Sequence, residues 1–321
     1  MKPGELQTLA RRPEPRAGFE AELIEGFSRT QKTLPCRYFY DARGSDLFEE
    51  ITRLPEYYPT RTETAILSGC ANEIAARTAP GSVLVEFGSG SSIKTEILLS
   101  HMRGLAAYLA IDVSSSALEE ARQRLRERFP ELRVECVVGD FWTAEIPADL
   151  ARAPRVGFFP GSTIGNMEPD DAQALLRRFG RVLGSGSRLI IGVDVMKDPA
   201  ILIPAYDDAQ GVTAAFNLNL LARANRELGA DFDLAGFRHK AIWNERMTRI
   251  EMRLVSLREQ VVHVAGRAFR FSAGETIHTE NSHKWPQDVF EHILHRAGWR
   301  IEASWRDEDG LFRVLEARNF G

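Results

Sequence analysis

The chain has 321 residues, 44% of them apolar, and a formal net charge of −4. That length can bury one large core or two of ordinary size, and the mild acidity with no Lys/Arg block argues against nucleic acid or an anionic membrane as the main partner. Cys36, Cys70 and Cys136 lack metal-ligand spacing and cannot all pair, Met1–Gln7 lacks a signal core, and no apolar run is long enough to span a bilayer; a cytoplasmic protein without a metal is expected.

Residues 1–18, rich in Pro, Arg and Glu, read as an N-terminal arm. Helical spacing follows over Phe19–Arg29, then an irregular aromatic segment from Leu34 to Tyr40. Thr62–Arg77 places Ala65, Ile66, Gly69, Cys70 and Ile74 at helical spacing. Next comes Val83-Leu-Val-Glu-Phe-Gly-Ser-Gly90, an apolar run that ends in an acid and opens into a Gly-x-Gly turn, with Ser91-Ser92 placed to cap the following helix. Helix 92–102, strand 108–112, helix 116–129 and strand 133–139 then alternate, with Ser116-x-x-Glu119 read as a capping box. The arginines of 122–128 are punctuated by Glu127 and preceded by Glu119 and Glu120, which reads as a solvated helix face. A strand at 156–160, a helix at 169–183 with Pro169 in its first turn, and a strand at 188–195 continue the βαβ succession.

After Met196 the period changes. Residues 199–228 look helical, and 238–284 alternate apolar and polar residues as antiparallel strands with one wet face do. From Pro286 the earlier theme returns, with a helix at 286–296 and strands at 300–305 and 311–317. The expected fold class is α/β: a doubly wound Rossmann-like sheet with a terminal antiparallel hairpin, from 60–196 and 286–321. A smaller α+β substrate-binding domain, from 19–59 and 197–285, is inserted late in the chain. A cleft between the two bodies is the expected place for a second substrate.

A buried parallel strand that breaks into a glycine turn brings bare backbone up to a nucleotide-like ligand. Here Glu86 ends the strand, and Gly88, Ser89 and Gly90 form the turn. Tyr108–Asp112 ends in an acid about 20 residues on, where a carboxylate can hold both ribose hydroxyls, and Val134–Phe141 ends in Asp140 beside an aromatic. Any one such acid could be a solvated strand end; three at one edge fit adenosine. Ile93 stands where a dinucleotide fingerprint has its next glycine, which favours S-adenosylmethionine over NAD. Glu86 would lie near the cofactor's amino group, Asp112 on the ribose, and Asp140 and Phe141 on the adenine. Lys94 is either a solvated helix lysine or a donor to the cofactor carboxylate.

Longer segments narrow the reading: Phe39-Tyr40-Asp41-x-x-Gly44-Ser45-x-Leu47-Phe48, Leu54-Pro-Glu-Tyr-Tyr-Pro-Thr-Arg-Thr-Glu63, Gly161-Ser-Thr-Ile-Gly-Asn166 and Ala205-Tyr-Asp-Asp208. With these, the sequence from about residue 30 onward resembles the histidine Nα-methyltransferases of ergothioneine biosynthesis, a class I S-adenosylmethionine-dependent family. The resemblance implies trimethylation of the α-amine of L-histidine to hercynine. It implies cofactor contacts at Gly88, Lys94, Asp112, Asp140 and Phe141, and substrate contacts at Tyr57, Asn166, Tyr206, Glu280 and Ser282. Tyr40 would stand near the reacting amine and Met252 would line the side-chain pocket. Asn281 and His283 depart from the expected pattern around Glu280-x-Ser282, which bears on the pocket's fine shape.

Methyl transfer from a sulfonium to an amine needs desolvation, alignment and a neutral amine more than a strong base. Tyr40 and Asn166 are the candidate catalytic residues, the Asn166 amide being able to donate to a carboxylate or accept from an amine. Tyr206 offers a neutral donor to the substrate carboxylate. Glu280 and Ser282 share one strand face and, with Tyr57, suit an imidazole. Adjacent Tyr57 and Tyr58 cannot face the same way, so one of them supports packing. His278, His283, His292 and His295 form no tetrahedral ligand set with an acid or Cys. The chain is expected to act as a monomer on a small molecule. The rivals are a methyltransferase of the same fold acting on another amine, an NAD-linked oxidoreductase, and a cofactor-binding sensor without turnover.

Overall fold

The computed structural model describes residues 7–8, 15–90, 93–143 and 145–321. Along the chain, β1 (Gln7–Thr8) precedes α1 (Pro15–Phe27), β2 (Lys32–Thr33), α2 (Ala42–Thr52) and α3 (Tyr58–Ala76). There follow β3 (Val83–Phe87), α4 (Ile93–His101), β4 (Ala107–Asp112), α5 (Ser115–Arg128), β5 (Val134–Val138), β6 (Arg155–Phe159), α6 (Pro169–Leu183) and β7 (Arg188–Asp194). Next are α7 (Pro199–Tyr206), α8 (Val212–Leu228), β8 (Phe237–Asn244), β9 (Arg249–Ser256), β10 (Gln260–Val264), β11 (Arg267–Phe271) and β12 (Thr276–His283). The path closes with α9 (Gln287–Arg296), β13 (Trp299–Arg306) and β14 (Phe312–Asn319). No helix among the described residues is long and apolar enough to cross a membrane.

The chain divides into two compact units. The first comprises Met1–Ala10, Pro59–Met196 and Trp285–Gly321. Its sheet runs β1-β5-β4-β3-β6-β7-β14-β13, parallel from β1 through β7, with β14 antiparallel to β7 and β13 to β14. The central β3, apolar but for Glu86, is buried along its whole length, as a strand with helices on both faces is. Val83, Val85 and Phe87 pack with Leu175 and Phe179 of α6 and Phe290 of α9. Leu84 joins Ile66 and Leu67 of α3, Leu98 of α4 and Leu118 of α5 on the other face. Strand order reverses at β3 and β6, the switch point of an open α/β sheet, where ligands approach the carboxyl ends of the strands.

The second unit comprises Arg11–Tyr58 and Lys197–Lys284. Its sheet is β2-β12-β9-β8, with β2 parallel to β12 and the other pairs antiparallel; β10 and β11 form a separate hairpin. On α8, Phe216 stacks on Phe39 at 4.3 Å between ring centroids. The start of α2 is fixed by Asp41, whose carboxylate accepts the Gly44 N–H at 2.7 Å and the Asn219 amide at 2.8 Å.

Several local expectations are corrected. Inside the expected arm, Gln7–Thr8 pairs in parallel with Val137–Val138, and α1 begins at Pro15; the rest of that arm lies outside the described residues, as does the cap expected at Ser91-Ser92. Helix α5 is capped by Ser114, whose Oγ accepts the Ala117 N–H at 3.3 Å, rather than by Ser116. The helical stretch 199–228 breaks after Tyr206, because the Asp208 carboxylate accepts the Val212 and Thr213 N–H groups and starts α8 afresh beside Gly211 at φ +75°.

Candidate active site

In the first unit, β3 delivers the glycine turn to the switch point. Gly88 and Gly90 have φ of +79° and +44°, conformations that suit glycine, and a Cβ built on either meets no atom within 4 Å. The turn is held from β4: Asp112 accepts the Gly90 N–H at 3.2 Å and the Ser114 N–H at 2.9 Å. Burial raises the Asp112 pKa, opposed by those N–H groups. Ser89 is buried between the glycines. After β5, Asp140 accepts the Trp142 N–H at 2.9 Å, and Phe141 meets Phe159 edge-on at 5.7 Å. Beside these strand ends, Ile93, Val113 and Trp142 remain 56%, 41% and 38% exposed, an unusual concentration of apolar surface in water.

Glu86 is placed differently from the expectation. Its carboxyl points, with Leu84, to the face covered by α3, α4 and α5, is 1% exposed, and accepts from Thr95 Oγ1 at 2.6 Å and from the Tyr108 hydroxyl. Burial pushes its pKa up to about 8. The acid is thus enclosed by protein groups instead of standing at the strand edge.

Lys94 is likewise engaged. Its Nζ donates at 2.5 Å to Glu63 of α3, a wholly buried carboxylate that also accepts the Gly161 N–H at 2.8 Å. Gly161 begins the segment after β6 that carries Asn166. Ser162, at φ +54°, accepts the Asp194 N–H through Oγ at 2.9 Å, and a 3₁₀ turn over Thr163–Asn166 follows. The Asn166 segment is therefore tied to α3 and to the end of β7. Gly192 of β7 leaves the room Glu63 needs, since a Cβ there would stand 1.9 Å from Glu63 Oε1.

In the second unit, Tyr40, Phe48, Tyr57 and Tyr206 form a chain of aromatic contacts. The ring centroids are 5.7 Å apart for Tyr40 and Phe48, 6.2 Å for Phe48 and Tyr57, and 6.1 Å for Tyr57 and Tyr206. Tyr58 is 1% exposed, and its hydroxyl accepts from Lys197 Nζ at 2.8 Å. On β12, Glu280 lies directly opposite Met252 of β9 and Ser282 opposite Ile250. The Ser282 hydroxyl meets the Tyr206 hydroxyl at 2.7 Å and accepts from Lys284 Nζ at 2.7 Å. The Tyr206 carbonyl is bonded to His239 Nε2 at 2.7 Å, while His239 Nδ1 accepts from Asn217 at 2.8 Å. That pair of bonds fixes a neutral tautomer, and burial lowers the His239 pKa in the same sense.

Sequence reasoning passed over Glu63, Lys284 and His239. The first two stand within segments already singled out. Lys284 is two residues beyond Ser282, the spacing that puts side chains on one strand face. Among the described residues, no group of three or more His, Cys, Asp or Glu is arranged to hold a metal ion.

Acid-ended parallel strands around a glycine turn, at the switch point of the sheet, define an α/β protein built for a nucleoside-bearing cofactor. The family model described as histidine-specific methyltransferase, SAM-dependent, matches residues 19–319. The chain is 44% identical over 301 residues to a histidine N-alpha-methyltransferase of Mycolicibacterium smegmatis, spanning 91% of this chain and 92% of that protein. It is 30% identical to N-methyltransferase imqF of Aspergillus flavus, over 94% of this chain and 85% of that protein. It is 31% identical to ergothioneine biosynthesis protein 1 of Neurospora crassa, over 89% of this chain and 33% of that protein. The chain belongs to the histidine-specific, S-adenosylmethionine-dependent methyltransferases.

Proposed function

We propose that this enzyme transfers three methyl groups in succession to the α-amine of L-histidine, giving hercynine as the first step of ergothioneine biosynthesis. The observation that carries the reading is the match of the histidine-specific family model from residue 19 to 319, which runs through segments of both units.

The first unit fits the cofactor. The open space over Gly88 and Gly90 and the exposed apolar surface of Ile93, Val113 and Trp142 suit an adenosyl group. Gly88, Ser89 and Gly90 would let it approach the backbone, Asp112 would hold the ribose, and Asp140 and Phe141 would read and flank the adenine. Lys94 would serve the cofactor carboxylate while anchored on Glu63. Glu86 supports the site from beneath through Thr95 and Tyr108. When bound, S-adenosylmethionine supplies an electrophilic methyl group on a sulfonium.

The second unit is the substrate-binding domain in this reading. Tyr206 donates to the amino acid's carboxylate, while Glu280 and Tyr57 read the imidazole across from Met252. Because its hydroxyl meets that of Tyr206, Ser282 is assigned in this reading to the carboxylate as well as to the imidazole. Tyr40 and Asn166 are assigned to the reacting amine, where they would hold it neutral and aligned with water excluded.

Incubation of the protein with S-adenosylmethionine and each of the twenty amino acids, followed by mass analysis, tests the reading. A trimethylated product from histidine alone is expected; equal turnover of another amino acid, or none of histidine, refutes it. Glu280→Ala is expected to raise the KM for histidine at least about tenfold and to admit apolar amino acids, because the imidazole N–H loses its acceptor. An unchanged KM would remove Glu280 from the pocket. A second reading, N-methylation of a different amine, draws on the similarity to N-methyltransferase imqF and is separated by the same assay.

A further inference from the structure

We infer that a one-residue bulge at Thr279 turns Glu280 and Ser282 onto the face of β12 that they share with Met252, and that Thr279 and His278 are the positioning residues that hold it. The inference rests on the function proposed above and names specificity determinants within it.

Strand β12 pairs with β9 in two registers: residues 276–278 lie opposite 255–253, and residues 280–283 lie opposite 252–249. Thr279 is the residue the ladder passes over. Opposed residues share a face of a sheet, so Glu280 and Ser282 stand with Met252 and Ile250. On β8, His239 and Ala241 lie opposite Leu254 and Met252 and belong to the same face. The bond from His239 to the Tyr206 carbonyl, and that between the Ser282 and Tyr206 hydroxyls, put α7 over it. The other face carries Arg249 and Arg253, which donate to Glu251 at 3.0 and 3.2 Å.

A regular strand would give the reverse. Continuing the first register would set Thr279 opposite Met252, Glu280 opposite Glu251 and Ser282 opposite Arg249. Two carboxylates would then face each other, an unfavourable cross-strand pair, and Glu280 would leave the side of α7. A bulge adds one residue and shifts the phase of all that follow, which is how a strand re-aims a side chain beside a functional site. Two side-chain bonds pin this one. Thr279, 2% exposed, donates from Oγ1 to the Met252 carbonyl at 3.0 Å, and His278 Nε2 donates to the Glu280 carbonyl at 3.1 Å. Both bonds end on the main chain of the opposed pair Glu280 and Met252, so they fix where Glu280 stands. From the other edge of β12, the Leu34 N–H donates to the His278 carbonyl at 2.9 Å.

The test is steady-state kinetics of the full chain with L-histidine and S-adenosylmethionine. Wild type is compared with Thr279→Val, which keeps the shape and loses the donor, with Thr279→Ser, which keeps the donor, with Glu280→Ala, and with the double variant Thr279→Val/Glu280→Ala. Thr279→Val is expected to raise the histidine KM about tenfold or more and to leave the KM for S-adenosylmethionine within about threefold. Thr279→Ser is expected to stay within about threefold of wild type on both. Because the effect runs through Glu280, adding Thr279→Val to Glu280→Ala is expected to change the histidine KM by less than about threefold.

A histidine KM unmoved by Thr279→Val overturns the inference. So does an equal rise for both substrates, or the same rise with and without the Glu280 carboxylate. Should Thr279→Val fail to fold, His278→Leu and its donor-keeping counterpart His278→Gln decide by the same split and the same double variant. An unchanged histidine KM in Glu280→Ala alone would strike the proposed pocket and the inference with it, whereas a loss there without one in Thr279→Val strikes the inference only.

Discussion

Glu86 shows how much can turn on the direction of one side chain. With its folded pKa at about 8, above the ordinary 4.5, it is held uncharged in the native state near neutrality. The unfolded chain then binds fewer protons, so this group's contribution to stability is full below pH 4.5 and is lost as pH rises toward 8. Glu251 acts in the opposite sense. It is 2% exposed, hydrogen-bonded by Arg253, Asn244 and Arg249, and held at about 2, so its contribution is present above pH 4.5 and lost as pH falls toward 2. Glu86→Gln is expected to flatten the decline in stability between pH 5 and pH 8 by up to ~1 kcal/mol per pH unit, read from urea midpoints. An identical slope in the variant would show that this carboxyl stays charged. The sequence reveals an acid closing an apolar strand but not where it points. A strand with helices on both faces has no wet side to break the tie, and only the shared parity with Leu84 puts the acid on the side of α3, α4 and α5.

At the level of elements, the alternation of buried strands and amphipathic helices is legible because a doubly covered parallel strand is nearly all apolar: β3 has all five residues buried and only Glu86 polar. Starts and breaks are less legible. Ser114, Ser115 and Ser116 are all competent caps, and Ser114 is selected because Asp112 at the end of β4 accepts its N–H and turns the chain there. The break between α7 and α8 depends on the Asp208 carboxylate folding forward, which hydrophobic spacing does not report. The start of α2 carries a sharper constraint: a Cβ on Gly44 would lie 1.7 Å from the Phe39 carbonyl oxygen. That neighbour is backbone and cannot rotate away. Gly44→Ala is expected to destabilise the protein by at least about 2 kcal/mol in urea unfolding. Gly69→Ala, at a position in α3 where a Cβ meets nothing within 4 Å, should be neutral or stabilising. Equal midpoints for the two variants would refute the steric account.

Across the whole molecule, neither unit is a continuous stretch. Strand β7 depends on β14, which pairs with it from Arg188 to Asp194, and β2 depends on β12. Deleting residues 285–321 is expected to leave β7 as an open edge and give insoluble protein; a soluble, cooperatively unfolding fragment would contradict this. The change of hydrophobic period after Met196 and its return near Pro286 can be read from the sequence, because half-wet antiparallel strands alternate and doubly buried ones do not. The pairing of Gln7–Thr8 cannot be read, since two residues have no period. Nor can the convergence of Glu63, Lys94, Gly161 and Gly192, which lie far apart in sequence and meet only through the sheet's crossovers. That convergence has a bearing on how such a chain drifts or is redesigned. The carboxylate of residue 63 fills the volume that any side chain at residue 192 would claim, so the two sites form one epistatic pair. A larger residue at 192 requires a shorter one at 63, and a library that varies the two positions separately never samples that combination.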